Sequence, residues 1–311
     1  MNLKRFWDRN NQLIIIIAGI ILFLLLMIEL LDFYYKGQEE KRQIKLQEII
    51  EEEKKDESEF TEADFSVESD TVKKAMRSFV RYCNEKQIDK AYQMLTDDCK
   101  QELYPTIEKF QENYIDVVYS TKRDYEITKW SVSGNTEVYL VNLYEDMLAT
   151  GGLGDIRDEY YTFSLDKNGI YKLNVNNFIK TENKNKETIE DGIKVKIGQV
   201  AIYSDSQKID ISITNDTNKK VSLTGKRSDS IYLESSSGTE YSAFDSEFLT
   251  SQVILEPNEK RSFTISFNKY YDLSNPARYL VLDNIIMDYD EFINSESKNE
   301  YSNIKTIKVG Y

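Results

Sequence analysis

Proton transfer near neutral pH runs most often through histidine, and this chain has none among its 311 residues. That absence removes Ser-His and Cys-His nucleophile pairs, and with them the commonest zinc ligand. Carboxylates are abundant, with 54 Asp and Glu, but no two stand at a spacing that marks an acid–base pair. Asp283, Asp288, Asp290 and Glu291 crowd one stretch as a hard cation prefers, yet they lack the spacing of a calcium loop. A solvated charged turn is expected there. Gly151-Gly152-Leu153-Gly154 lacks the Lys-Ser/Thr and the helix that follow a phosphate loop, and reads as a strand connection. Cys83 and Cys99 are the only cysteines, too few for a metal site without histidine. They pair as a disulfide or lie as two buried thiols. The expectation is a protein that is not an enzyme and holds no cofactor or metal.

The element that organises the chain is the apolar run Leu13–Leu31, whose only charge is Glu29 near its end. At about 1.5 Å per residue a helix of that length covers the hydrocarbon thickness of a bilayer. A cleaved signal peptide has a shorter apolar core and a small-residue cleavage site; here Asp32-Phe33-Tyr34-Tyr35 follows, bulky throughout. An uncleaved transmembrane anchor over residues 13–35 is therefore expected. Phe33, Tyr34 and Tyr35 would form one interfacial belt, Phe6 and Trp7 the other. Residues 1–12 carry Lys4, Arg5 and Arg9 against Asp8. This short basic tail predicts a cytoplasmic N-terminus and a large extracellular remainder at the plasma membrane. The net charge of −14 argues against a nucleic-acid partner, which needs clustered Lys and Arg. Richness in Ile, Asn, Lys and Tyr suggests an AT-rich, bacterial genome.

Residues 36–70 read as a stalk. Lys36–Lys55 is made of helix formers with Glu and Lys three or four residues apart, a solvated spacer with barely one heptad for a coiled coil. Asp56–Asp70 is acidic and polar, a linker. From Thr71, an N-cap type, Val72, Met76, Phe79, Val80 and Cys83 recur at helical spacing. A break at Asn84-Glu85-Lys86-Gln87 leads to a second helix with Ile88, Ala91, Tyr92 and Leu95 inward. Thr96-Asp97-Asp98 caps another, and Pro105 precedes a last helical pattern through Val118. After Ser120 the period becomes two: 125–132, 137–144, 159–166 and 170–178 alternate as strands, the last pair joined by Asp166-Lys167-Asn168-Gly169. Helices followed by an antiparallel meander predict an α+β domain over 71–180.

The run FVRYCNEKQIDKAYQMLTDDCK, followed by strands ending YYTFSLDKNGIYKLNV, resembles the nuclear transport factor two-like cone fold. That resemblance implies helices folded over a curved sheet whose concave face often leaves a pocket. Trp130, Tyr139 and Tyr161 would line the pocket as ligand-binding residues, or would be core. Its catalytic members use an Asp-His pair or similar, which this chain lacks.

Thr181–Glu190 is polar, and residues 181–191 read as a linker. From 192 to 311, short alternating strands recur: Ile193-Val195-Ile197, Ile209-Ile211-Ile213, Ile231-Leu233 and Phe263-Ile265-Phe267 among them, with a further candidate at Tyr279–Ile286. Such spacing predicts an all-β sandwich. The order of strands and turns resembles the immunoglobulin-like domains of bacterial cell-surface proteins, a likeness that carries no site residues.

The whole predicts a membrane-anchored, extracytoplasmic, non-catalytic protein. It would bind a protein partner in a cell envelope or a secretion- or conjugation-type assembly. The alternative is an extracytoplasmic sensor or carrier holding a small ligand in the cone pocket.

Overall fold

A computed structural model describes Met27 and residues 65–145, 154–224, 230–245 and 253–311. The helices come first. α1 (Val72–Asn84) starts where Thr71 accepts a hydrogen bond from the Lys74 N–H, and it buries Met76, Phe79, Val80 and Cys83. α2 (Ile88–Met94) and α3 (Asp97–Glu102) follow, the latter capped by Thr96. α4 (Ile107–Phe110) widens into a π-turn at Gln111–Ile115 and closes as α5 (Asp116–Val118). Across that wider turn the Phe110 and Tyr114 rings stack, 5.6 Å apart.

Four antiparallel strands lie against these helices in the order β1 (Arg123–Ser133), β2 (Thr136–Glu145), β3 (Ile156–Leu165) and β4 (Tyr171–Asn174). Gly169, at φ +77°, makes the β3–β4 turn, and the Asp166 carboxylate accepts the N–H groups of Asn168 and Ile170.

The remaining strands are β5 (Phe178–Glu190), β6 (Ile193–Tyr203), β7 (Gln207–Asn215), β8 (Val221–Ser222), β9 (Ile231–Ser235), β10 (Glu240–Asp245), β11 (Ile254–Leu255), β12 (Lys260–Phe267), β13 (Ala277–Ile286) and β14 (Ile304–Gly310). The one helix among them is α6 (Tyr289–Asn294). They run in the order β11-β8-β13-β9-β10-β12-β7-β6-β5, with β14 on β13. β10 changes sheet along its length: Glu240–Ser242 pair with β9, Ala243 and Asp245 with β12. Inward residues of both halves, such as Ile197, Ile211 and Ile265 with Leu233, Leu280 and Ile307, fill one core, as in a β-sandwich.

The expected architecture of a single transmembrane helix, a cone-fold domain and a separate immunoglobulin-like sandwich is corrected by three findings. Among the described residues no helix is long and apolar enough to cross a membrane. The tail at 1–12, the stalk up to residue 64 and the anchor at 13–35, of which Met27 alone is described, lie outside the described residues. The described elements are few short helices and mostly antiparallel strands. And Phe65–Tyr311 is one compact unit, with no linker between its halves.

Residues 181–190 belong to β5, which pairs with β6 from Phe178 to Glu190. They look like a linker because their side chains are mostly exposed or half-exposed. The hairpin closes on Asp191-Gly192, both at positive φ, the pairing that a two-residue turn prefers. Side chains alternate across a strand, so Phe178 enters the core under the helices while Ile179 enters the sandwich core. Val138 of β2 likewise belongs to the sandwich core, and Ala201 of β6 to the helical one.

Candidate binding cleft

β1 is an outer strand, with β2 as its only neighbour among the described strands. Lys129 pairs with Tyr139 and Ser131 with Val138, which leaves Trp130 as an extra residue between them. Such a bulge puts two consecutive residues, Trp130 and Ser131, on one side of the sheet. Trp130 turns away from the helices, its ring 4.5 Å from that of Tyr160 and 5.8 Å from that of Tyr271. The indole remains 42 % exposed.

The loop between β12 and β13 forms the opposite wall, and several polar contacts fix it. The Tyr271 N–H donates to the Ser204 carbonyl at 3.0 Å. Lys269 is buried; its Nζ donates to the Tyr270 carbonyl at 2.9 Å and stands 4.8 Å over the Tyr241 ring. Burial pushes this ammonium below the ordinary lysine range. Asp272 accepts from both the N–H and the hydroxyl of Ser274, at 2.8 and 2.7 Å, and these bonds hold its carboxyl below the usual range. Between the walls lies a cleft of about 290 Å³ lined by Trp130, Ser131, Tyr271, Asp272, Leu273 and Ser274. Leu273, in the lining, is half exposed.

The three aromatic residues expected to share a pocket do not converge. Tyr139 and Tyr161 are register partners on the helix-facing side of the sheet. Tyr161 is fully buried: its hydroxyl lies 2.5 Å from that of Tyr114 and 3.4 Å from that of Tyr119, and Tyr114 donates to Glu159 at 3.0 Å. Burial, with the Glu159 charge beside it, pushes the Tyr161 phenol well up. Arg157 pairs with that carboxylate. Tyr139 is half-buried, edge-on to Phe163 at 5.7 Å, and donates to Glu137 at 2.9 Å. Only Trp130 faces solvent in a cleft: it alternates with Lys129, whose partner Tyr139 faces the helices, and so points to the other side of the sheet.

Cys83 and Cys99 are free, buried thiols. Burial raises both, Cys99 to about 12, which leaves them without thiolate character. In the acidic stretch, Asp288 caps α6 through the Glu291 N–H and pairs with Lys219 at 2.5 Å. Asp283 accepts from Thr306 and Asn284. Among the described residues, no group of three or more Cys, Asp or Glu is placed to hold a metal ion. Gly151-Gly152-Leu153 lies outside the described residues. The loop Tyr270–Ser274 is the half of the cleft that sequence reasoning missed. Its signal is two adjacent tyrosines and a leucine inside an otherwise polar turn that ends at Asn275-Pro276.

No family model, no curated protein and no solved structure matches this chain.

Proposed function

We propose that this chain is a non-catalytic binding protein of a cell envelope, held at the membrane through residues 13–35, and that it engages a protein partner through the Trp130 cleft. One observation carries this reading. Trp130 and Leu273 are large apolar side chains left between two-fifths and one-half exposed in the lining of one cleft. Aromatic residues of this kind supply most of the binding energy at protein interfaces. A secretion- or conjugation-type assembly is the setting that the reading proposes.

The test is site-specific photo-crosslinking in intact cells. A photoreactive residue in place of Trp130 or Leu273 is expected to capture a discrete protein partner. The same residue in place of Ile189, which is 60 % exposed on β5, serves as the control. Adducts that are absent at the cleft, or equally strong at Ile189, refute the reading.

A further inference from the structure

We infer that the partner presents an extended, cationic segment that adds to the free edge of β1 as a further strand and seats an aliphatic or aromatic side chain against Trp130. This inference rests on the reading of the cleft as a protein-binding site. It follows from the edge, the charge and the cleft taken together.

The start of the edge is occupied. Asn84 receives the Arg123 N–H at 2.9 Å and donates to the Arg123 carbonyl at 2.8 Å. Both backbone groups of Arg123 therefore point away from β2. Antiparallel pairing alternates, so Ile127 and Lys129 turn their N–H and C=O outward as well. Neither pair has a hydrogen-bonded partner among the described residues. Unpaired edges of this kind accept an added strand through main-chain hydrogen bonds, and side-chain pockets then set specificity.

Charge selects the occupant. On the face away from the helices, Glu126 pairs across β2 with Asn142, and Asn142 pairs with Asp158. Asn142 donates to Asp158 at 2.6 Å, which places two carboxylates in one cross-strand row. Asp272 adds a third within the cleft. The cations nearby are engaged: Lys129 pairs with Glu137 at 2.6 Å, Lys180 with Glu182 at 2.5 Å, and Lys269 is buried. An added strand sets its next residue in the Glu126 row, where lysine or arginine fits. About four residues further, roughly 13 Å along the strand and on the same face, its side chain reaches the Trp130 cleft. A second copy of this chain is disfavoured, because each copy carries a net charge of −14.

The probe is a synthetic peptide about ten residues long, alternating lysine and valine around one leucine, titrated into the purified full-length chain. Controls are its glutamate-for-lysine version and two versions N-methylated on alternate backbone nitrogens in opposite phases. The expected result has four parts. The lysine peptide binds; the glutamate peptide binds at least about tenfold more weakly; one N-methylated phase loses binding while the other keeps it; and Trp130→Ala and Glu126→Lys each weaken the lysine peptide by about tenfold. Both variants lie on the surface, and an unchanged melting temperature shows that the fold is retained. The inference is overturned if the lysine peptide does not bind. It is equally overturned if both N-methylated phases and Trp130→Ala leave its affinity unchanged, since attraction is then by charge alone. Cleft adducts in cells alongside failed peptides remove the strand-addition inference and leave the protein-binding reading intact.

Discussion

Phe178 and Ile179 are neighbours on one strand, yet each is fully buried in a different core. If β5 ties the two cores together, truncating either residue must weaken the same cooperative unit. Phe→Ala in a packed core costs about 3–5 kcal/mol and Ile→Ala about 2–5, the lost transfer energy plus the cavity left behind. For a chain of this size, 1 kcal/mol moves the melting temperature by roughly 2–4 °C. Phe178→Ala is thus expected to lower it by at least about 6–12 °C and Ile179→Ala by at least about 4–8 °C. Calorimetry on the full chain is the assay, because it resolves separate transitions that a single spectroscopic probe would merge. The expected trace has one unfolding endotherm for residues 65–311, displaced downward by either substitution. Two endotherms, with Phe178→Ala shifting only one and Ile179→Ala only the other, would refute the shared-strand argument and restore two independent domains.

Native protein at pH 8 should leave Cys83 and Cys99 unlabelled by an alkylating reagent, and both should react once it is unfolded. With Cys99 raised to about 12, its thiolate fraction is roughly a thousandfold below that of a free cysteine. Rapid labelling of either native thiol contradicts the burial described. Arg123 is 4 % exposed; its guanidinium donates to the carbonyls of Val118 and Asp155 and pairs with the Asp155 carboxylate. Arg123→Met should therefore destabilise by about 2–4 kcal/mol in urea titration, and a change under ~0.5 kcal/mol would show these bonds to be dispensable. Lys269 supplies a pH signature. Its folded pKa lies below the unfolded value of about 10.5, so the unfolded chain binds the extra proton between the two and stability gains from this residue as pH rises through that window. Lys269→Met removes that gain, and melting curves of the two proteins across alkaline pH should differ in slope; parallel profiles would refute the assignment.

The helical half is legible where local rules and packing agree. Thr71 and Thr96 cap their helices, and the apolar residues that follow at helical spacing are the ones that the sheet covers. The Asp166–Gly169 turn is similarly local: an Asp side chain closing on N–H groups two and four residues on, with glycine at positive φ. β5 shows where such reading stops. Asn183, Lys184 and Lys186 have poor strand propensity, and pairing with β6 overrides it because β6 contributes the buried face. The one local clue was Asp191-Gly192, a hairpin signal that a polar neighbourhood made easy to pass over. Trp130 fails for a different reason. A strand's faces are assigned by counting in twos, and a single inserted residue reverses the count for every residue beyond it. Trp130 lies just before that reversal: it alternates with Lys129, the partner of Tyr139, and so points away from the helices, a relation between two strands that neither shows alone. Ser131, just past the bulge, pairs with Val138 and so faces the same side as Trp130. The break in the period thus gives the cleft two consecutive residues of an otherwise ordinary sheet edge.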